Sequence, residues 1–109
     1  MPDDLIQIFT TTETREDAER IAGELVDRRL AGCVQIIGPM VSTYRWKGKI
    51  EKTQEWLCLI KTKRELFDEL EAVVKAIHPY EVPELLAVPV SGASDDYRQW
   101  LAGELMSKV

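Results

Sequence analysis

The longest continuous signal in the sequence is a strand-like stretch with one turn in its middle, and it most restricts the possible folds. It covers residues 33–62, is rich in β-branched and apolar side chains, and is divided by Lys47-Gly48-Lys49, which predicts a β-hairpin. Each arm holds about 13 residues and is about 43 Å long at 3.3 Å per residue, whereas a domain of this size is about 35 Å across. We therefore expect the hairpin tip to overhang the core, with a bulge where Gly38-Pro39 interrupts the first arm.

Helices and shorter strands are predicted on either side of the hairpin. Apolar periodicity and capping signals give, in chain order, a strand over residues 5–11, a helix that Thr14-x-x-Asp17 begins and Gly32 ends, a helix that Thr62-x-x-Glu65 begins and His78-Pro79 ends, an edge strand over residues 85–90, and a helix capped by Ser94. The order βαββαβ with an extra C-terminal helix predicts an α+β, ferredoxin-like sandwich whose helices cover one face of an antiparallel sheet. We expect a single domain over residues 1–109.

The overhanging hairpin has consequences for assembly. Its edges present unpaired backbone groups, and its arms carry large apolar side chains such as Tyr44 and Trp46, which promote aggregation unless they are covered. Pairing with further copies of the chain covers them, and a ring of three copies leaves no free edge. The sequence thus favours a homotrimer, and a solvated hairpin on a monomeric core is the alternative.

Composition bears on the class of partner and on the cellular compartment. Acidic residues outnumber basic ones by 19 to 14, the net charge is −5, and the basic residues are scattered, so no nucleic-acid partner is expected. No apolar run approaches the roughly 18 residues that span a bilayer, and the start Met1-Pro2-Asp3-Asp4 does not resemble a signal peptide. Cys33 and Cys58 belong to no CxxC unit. We expect them to be buried, reduced thiols of a cytoplasmic protein, with a disulfide or a thiolate metal ligand as the alternative.

The densest group of polar side chains lies in residues 78–84, His-Pro-Tyr-Glu-Val-Pro-Glu, which we call the rim. Its two prolines hold the segment in an extended conformation. His78, Glu81 and Glu84 supply one imidazole and two carboxylates, a ligand set that suits Zn²⁺, Cu²⁺ or Ni²⁺. The rim is therefore a candidate metal site. Because His78 follows a predicted helix, a capping role at the helix C-terminus is the alternative.

A second group of candidate residues lies on the hairpin, the rim and the last helix. By period-two alternation, Glu55 and Lys61 share one face of the second arm and bracket an apolar stripe. A carboxylate, an ammonium group and aromatic rings with N–H or O–H donors suit a small polar ligand or an anion. Ordinary edge-of-sheet residues are the alternative. The candidate ligand cleft consists of Tyr44, Trp46, Glu55, Lys61, Tyr80 and Trp100.

Catalysis is not expected from this sequence. It contains no Gly-x-Ser-x-Gly, no cysteine beside its single histidine and no glycine-rich phosphate loop. Because no pair of nucleophile and base can be assembled, we expect a binding protein rather than an enzyme.

Several strings of the sequence together identify a family resemblance. They are Ala31-Gly32-Cys33-Val34-Gln35-Ile36, Ser42-x-Tyr44-x-Trp46-x-Gly48-x-Ile50, Lys61-Thr62, the rim, and Tyr97-x-x-Trp100-Leu101. In combination they closely resemble the CutA (CutA1) family of divalent-cation-tolerance proteins, and the likeness runs over about residues 5–105.

The resemblance implies a ferredoxin-like fold assembled as a tight homotrimer through the long hairpins. It also implies a cytoplasmic role in tolerance of copper and other divalent cations, which bind at clefts between subunits and are not an obligatory cofactor. Some copper-binding bacterial members have a cysteine in the first strand and two consecutive histidines before the proline, whereas this chain has Phe9-Thr10 in that strand and Ile77 before His78. The alternative function is a signalling or structural trimer whose cleft binds a small anion or a partner segment through Lys61, Glu55 and the aromatic rings.

Overall fold

A computed structural model describes residues 4–108, so the ends of the predicted 1–109 domain and most of the acidic start lie outside the described residues. No helix among residues 4–108 is long and apolar enough to cross a membrane. The elements in chain order are β1 (Leu5–Thr12), α1 (Arg15–Asp27), β2 (Cys33–Trp46), β3 (Lys49–Lys63), a 3₁₀ turn (Arg64–Leu66), α2 (Phe67–Ile77), β4 (Leu86–Pro89) and α3 (Asp95–Glu104).

The four strands form one antiparallel sheet in the order β2-β3-β1-β4. Strand β4 lies at the edge, as Pro89 predicts, because a proline cannot donate to a further strand. Helices α1 and α2 each connect two strands that are not neighbours in the sheet, which is the split βαβ arrangement. The predicted α+β, ferredoxin-like fold with an extra C-terminal helix is confirmed.

The helices pack on one face of this sheet. Side chains of one parity in β1 and β3, such as Ile8 and Ile60, are fully buried in a core that includes Ile21, Leu25 and Leu70 of the helices. The alternate side chains of these strands point to the opposite face, where most are half-buried or exposed, although Leu5, Thr11 and Glu55 are buried. We call this the open face, and its apolar side chains are Phe9, Ile37, Leu57, Leu59, Leu86 and Val88.

The hairpin closes in a tight turn and is the longest part of the molecule. Lys47 and Gly48 have φ angles of 50° and 82°, and a type I′ turn requires positive φ at both positions. The principal dimensions are 44 × 26 × 22 Å, in agreement with the expected overhang. Near the tip, Val41 is 73% exposed and Ile50 is 67% exposed, so this end of the hairpin packs on little of its own chain.

Helix α1 begins as predicted but ends earlier than Gly32. The backbone N–H of Asp17 donates to Thr14 Oγ1 at 3.0 Å, which is the expected cap. The helix ends at Asp27 because Arg29 adopts a φ of 62° and the chain then forms a Schellman motif, with the Leu30 N–H bonded to the Leu25 carbonyl. The Arg29 side chain donates hydrogen bonds to the carbonyls of Gly103 and Glu104 at the end of α3. These bonds stabilise the positive φ of Arg29, a conformation that is uncommon for residues other than glycine.

The predicted capping box at Thr62 is wrong. Thr62 belongs to β3, is fully buried, and donates from Oγ1 to the Leu30 carbonyl at 2.7 Å. The strand therefore continues to Lys63, and a 3₁₀ turn without a side-chain cap precedes α2. Threonine is common both in strands and at helix N-caps. The hydroxyl of Thr62 bonds to the Leu30 carbonyl, which is distant in sequence, and this bond keeps the residue in the strand.

The two cysteines are not bonded to each other, and they differ in burial. Cys58 is fully buried, as predicted, and burial raises the pKa of its thiol to about 11. Cys33 is only half-buried, at the start of β2. The burial prediction is therefore confirmed for Cys58 and wrong for Cys33.

Candidate functional site

A cleft of about 640 Å³ lies between the outer part of the hairpin and the rim. It brings together four of the predicted ligand-cleft residues and the two predicted carboxylate ligands of the rim. These six are Tyr44, Trp46, Glu55, Tyr80, Glu81 and Glu84. The structure thus joins the two candidate groups into one site.

The bulge in β2 determines which hairpin side chains face this cleft. Ile37 pairs with Leu57, but beyond the bulge Met40 pairs with Glu55, so the register has shifted by one residue. Because side chains alternate along a strand, this shift places Tyr44 and Trp46 on the same face as Glu55. Gly38 is required at the bulge, since a Cβ there would lie 2.6 Å from the Trp56 ring.

Glu55 is a buried carboxylate at the inner end of the cleft. Only 6% of its surface is exposed, and Tyr80 donates from Oη to Glu55 Oε2 at 2.7 Å. Burial, together with this hydrogen bond to a carboxylate, raises the pKa of Tyr80 well above its ordinary value. Tyr80 therefore stays protonated and acts as a permanent donor that ties the rim to β3.

His78 holds the rim in place through both of its ring nitrogens. The Tyr80 N–H donates to Nδ1 at 3.1 Å, and Nε2 lies 2.8 Å from the Thr11 carbonyl oxygen. Since a carbonyl only accepts, Nε2 carries the hydrogen and Nδ1 is the acceptor. Only 8% of the residue is exposed, and burial lowers the pKa of the imidazole, so the neutral ring is favoured.

This geometry bears on the predicted metal ligand set of His78, Glu81 and Glu84. With both nitrogens of His78 bonded to backbone groups, the ring has no free lone pair for a cation. Among residues 4–108, no group of three or more His, Cys, Asp or Glu side chains is placed to hold a metal ion. His78, Glu81 and Glu84 therefore do not converge within one chain. The backbone N–H of His78 caps α2 by bonding to the Val74 carbonyl, so the residue fills the alternative capping position.

The two carboxylates of the rim remain available to a ligand. Glu81 has a side chain that is 71% exposed, with Lys47 Nζ 3.9 Å from its Oε1 atom. Partial burial, and then the negative charge of Glu55, raise the pKa of Glu84. The cleft therefore concentrates negative charge, and the side-chain oxygens of its lining residues belong to carboxylates, phenols and the hydroxyl groups of serine and threonine.

Lys61 and Trp100, which were predicted to line the cleft, do not lie in it. Lys61 shares a face with Glu55, but six residues of strand separate them by about 20 Å, and its Nζ donates to Gln35 Oε1 at 2.6 Å. Trp100 lies on α3 and lines a separate hollow with Arg29 and Glu104. Alternation along a strand predicts the face of a side chain and not its distance from another.

Sequence reasoning missed two residues that matter here. Thr11 lines the cleft and its carbonyl accepts from His78, which only tertiary structure could show. Lys47 was read as a turn residue, although its Nζ lies 5.6 Å from the centroid of the Trp46 ring as well as near Glu81. A lysine next to a tryptophan at a hairpin tip was the available signal for that cation–π contact.

The Tyr80–Glu55 bond makes a direct prediction. Tyr80→Phe removes the only partner that Glu55 Oε2 has among residues 4–108, and an unsatisfied buried acceptor costs about 1–3 kcal/mol. We expect urea unfolding at neutral pH to show this loss. Tyr97→Phe, at an exposed tyrosine outside the cleft, is the control and should change the free energy of unfolding by less than about 0.5 kcal/mol. Equal stability of Tyr80→Phe and wild type would show that the bond does not hold the rim.

Comparison with known proteins gives a consistent result. The family model described as "CutA1 divalent ion tolerance protein" matches residues 6–104. The divalent-cation tolerance protein CutA of Thermus thermophilus is 43% identical over 94 residues, which is 86% of this chain and 91% of that protein. The chloroplastic protein CutA of Arabidopsis thaliana is 40% identical over 96 residues, or 88% of this chain and 53% of that protein. The chain spans about half the length of the plant and mammalian relatives that it matches.

Solved structures share the fold closely. The crystal structure of CutA1 from Oryza sativa has a TM-score of 0.93 and 36% identity, and the match covers 96% of this chain and 96% of that one. The structure of the divalent cation tolerance protein from Thermus thermophilus has a TM-score of 0.91 and 39% identity, with 94% of this chain and 99% of that one covered.

Proposed function

This chain belongs to the CutA1 divalent ion tolerance protein family, and on that premise we propose that it binds divalent cations, copper among them, in the cleft between hairpin and rim. The observation that supports the proposal is that three carboxylates, those of Glu55, Glu81 and Glu84, line the same cleft. Binding there is the step through which the protein would confer tolerance of divalent cations. We propose a binding role for the cleft and no catalytic step.

The charge of the cleft favours a cation over the anionic ligand of the alternative function. Lys61, which was to hold the anion, is bonded to Gln35 away from the cleft. The ammonium group of Lys47, near the rim, already faces Glu81. Three carboxylates repel an anion, and they lower the free energy of a cation in their field.

The donor atoms bear on which cations fit. Carboxylate and phenol oxygens suit Mg²⁺, Ca²⁺ and Mn²⁺, while Cu²⁺ binds a given oxygen or nitrogen site more tightly than most divalent ions. Glu81 and Glu84 are the proposed ligands. His78 is a positioning residue that fixes the rim, because its ring nitrogens are bonded to Tyr80 and Thr11.

We also propose that the protein is a homotrimer and that the cleft is completed at its subunit boundary. Two observations support this. The open face presents an apolar surface, with Ile37, Leu86 and Val88 at 52%, 59% and 42% exposure, and the hairpin tip extends beyond its own core. Covering these surfaces with copies of the chain removes apolar area from water, and a neighbouring subunit could supply the ligands that one chain lacks.

A titration tests the metal proposal. We expect Cu²⁺ and Mn²⁺ each to give saturable heats with wild type by isothermal titration calorimetry, and Glu81→Gln/Glu84→Gln to weaken binding by about tenfold or more, because affinity follows ligand charge. His78→Gln should bind as wild type does. Glu16→Gln/Glu19→Gln, on helix α1, makes the same charge change outside the cleft and should have little effect. No saturable heat with wild type, or equal weakening by both double variants, would contradict the proposal.

A cytoplasmic location is proposed as well. Cys33 and Cys58 are unpaired, and free thiols of this kind persist in a reducing compartment. Fractionation of cells that express the untagged protein would test it, and recovery only with the periplasm or an organelle would contradict it.

A further inference from the structure

The cleft has aromatic side chains that are not ligands of a metal ion. Beside its carboxylates it is lined by three aromatic side chains, Tyr44, Trp46 and Tyr80. Aromatic faces attract organic cations, which shed water readily, whereas a divalent metal ion keeps its hydration or binds oxygen ligands. This lining therefore fits an organic ammonium group better than a bare metal ion.

The carboxylates are also spread along the cleft. Among residues 4–108 no three acidic, histidine or cysteine side chains converge on a point that could hold a metal, and the cleft has a volume of about 640 Å³. Glu55 lies at the inner end with 6% exposure, while Glu81 lies at the outer end with its side chain 71% exposed. Negative charges spaced in this way match a ligand whose positive charges are also spaced along a chain.

The protein places an ammonium group of its own at the outer end of this cleft. Lys47 Nζ lies 5.6 Å from the centroid of the Trp46 ring and 3.9 Å from Glu81 Oε1. It thus makes the two interactions that a primary amine would make there, a cation–π contact and an ion pair. The side chain of Lys47 is 71% exposed, so a ligand can displace it without disturbing the core.

We propose that this cleft binds a linear alkyl polyamine. Its terminal ammonium group replaces that of Lys47 between Trp46 and Glu81, its methylene chain lies along the aromatic rings, and a second ammonium group approaches Glu84 and Glu55. Lys47 then acts as an internal competitor of the ligand. The inference uses the same cleft as the divalent cations but does not depend on metal binding, so the two kinds of ligand compete.

Titration of the whole protein with spermidine, in EDTA and at low salt, tests the inference. We expect saturable binding to wild type, and binding about tenfold weaker to Trp46→Leu, which keeps apolar volume but removes the ring. Lys47→Met should bind about threefold or more tightly, because the internal competitor is gone. Trp100→Leu removes a half-exposed tryptophan outside the cleft, and Lys52→Met removes an exposed lysine of the hairpin that does not line the cleft; both should bind as wild type does.

The outcomes separate this inference from the metal proposal. Trp46→Leu should keep its Mn²⁺ affinity, whereas Glu81→Gln/Glu84→Gln should lose both ligands. The inference is overturned if spermidine gives no saturable heat, if Trp46→Leu and Trp100→Leu weaken binding equally, or if Lys47→Met binds more weakly than wild type. If sedimentation shows that Trp46→Leu has a changed mass, Trp46→Phe takes its place, with binding weakened about threefold because the smaller ring attracts a cation less. Spermidine binding without Mn²⁺ binding would contradict the metal proposal alone.

Discussion

Replacing Leu59 with lysine is expected to convert the proposed trimer into a species with the 12.5 kDa mass of one chain. Leu59 lies in the middle of the open face, where it is paired with Phe9 on one side and Gln35 on the other. An ammonium group buried there without a partner would cost several kcal/mol in each subunit, and three such charges would also repel one another. Sedimentation at micromolar protein measures the mass, and wild type should give three times that of the variant.

The control for this prediction is Val26→Lys, which places the same charge on an exposed apolar position of helix α1. It should leave the mass unchanged, because the helical layer lies on the other side of the sheet from the open face. Circular dichroism should show that the Leu59→Lys chain remains folded, since Leu59 is only half-buried within one chain. A wild type of 12.5 kDa would contradict the trimer, and a trimeric Leu59→Lys would show that the open face is not the interface.

The order of elements could be predicted because each one carries a local signal. Apolar residues recur with the period of a helix or a strand, and Thr14 and Ser94 accept hydrogen bonds at the starts of α1 and α3. Gly38-Pro39 predicted the bulge and Gly48 predicted the turn, because a bulge and a tight turn each depend on the backbone conformation of the residues that form them. The topology then follows, because a small sheet allows only a few ways of connecting its strands.

Element ends could not be predicted where a distant partner decides them. Gly32 resembled a helix stop, but Arg29 ends α1 because its side chain reaches the carbonyls of Gly103 and Glu104. Thr62 resembled a cap, but its hydroxyl bonds to the Leu30 carbonyl. In both cases the sequence contains the residue and not its partner.

The candidate site was predicted in part for the same reason. Tyr44, Trp46 and Glu55 share a face because strand alternation and the bulge put them there, and both are visible in the sequence. The role of His78 was not visible, because Thr11, whose carbonyl it binds, precedes it by 67 residues. A histidine among carboxylates suggests a metal ligand until its ring nitrogens are seen to be bonded to backbone groups.

Replacement of His78 with alanine is expected to lower the free energy of unfolding by about 2–4 kcal/mol, one of the larger effects of a single change. The substitution leaves the Thr11 carbonyl and the Tyr80 N–H without partners, and it removes a ring packed 4.7 Å from that of Tyr80. Urea unfolding at neutral pH measures the loss. The rim should loosen as well, since of the Tyr80 hydrogen bonds seen among residues 4–108 only the one to Glu55 would remain.

The same residue predicts how stability depends on pH. Burial lowers the pKa of His78 below its ordinary value of 6.5. The hydrogen bond to the Thr11 carbonyl and the negative charges of Asp17 and Glu55 act in the opposite direction, and Arg20 adds to the lowering. The unfolded chain therefore binds more protons than the folded chain just below pH 6.5. Stability should fall as the pH drops from that value through the folded pKa, because a protonated ring can no longer accept the Tyr80 N–H at Nδ1.

His78→Gln isolates this contribution, because His78 is the only histidine of the chain. A glutamine amide can still donate to the Thr11 carbonyl but does not titrate, whereas the carboxylates titrate in both proteins. We expect the difference in unfolding free energy between wild type and His78→Gln to be largest near about pH 7.5 and to shrink towards about pH 5. Parallel curves over that range would show that the proton on His78 is not linked to folding. A difference that shrinks as predicted would mean that acidification loosens the rim, which carries Glu81 and Glu84, so that pH would change the geometry of the proposed cation site.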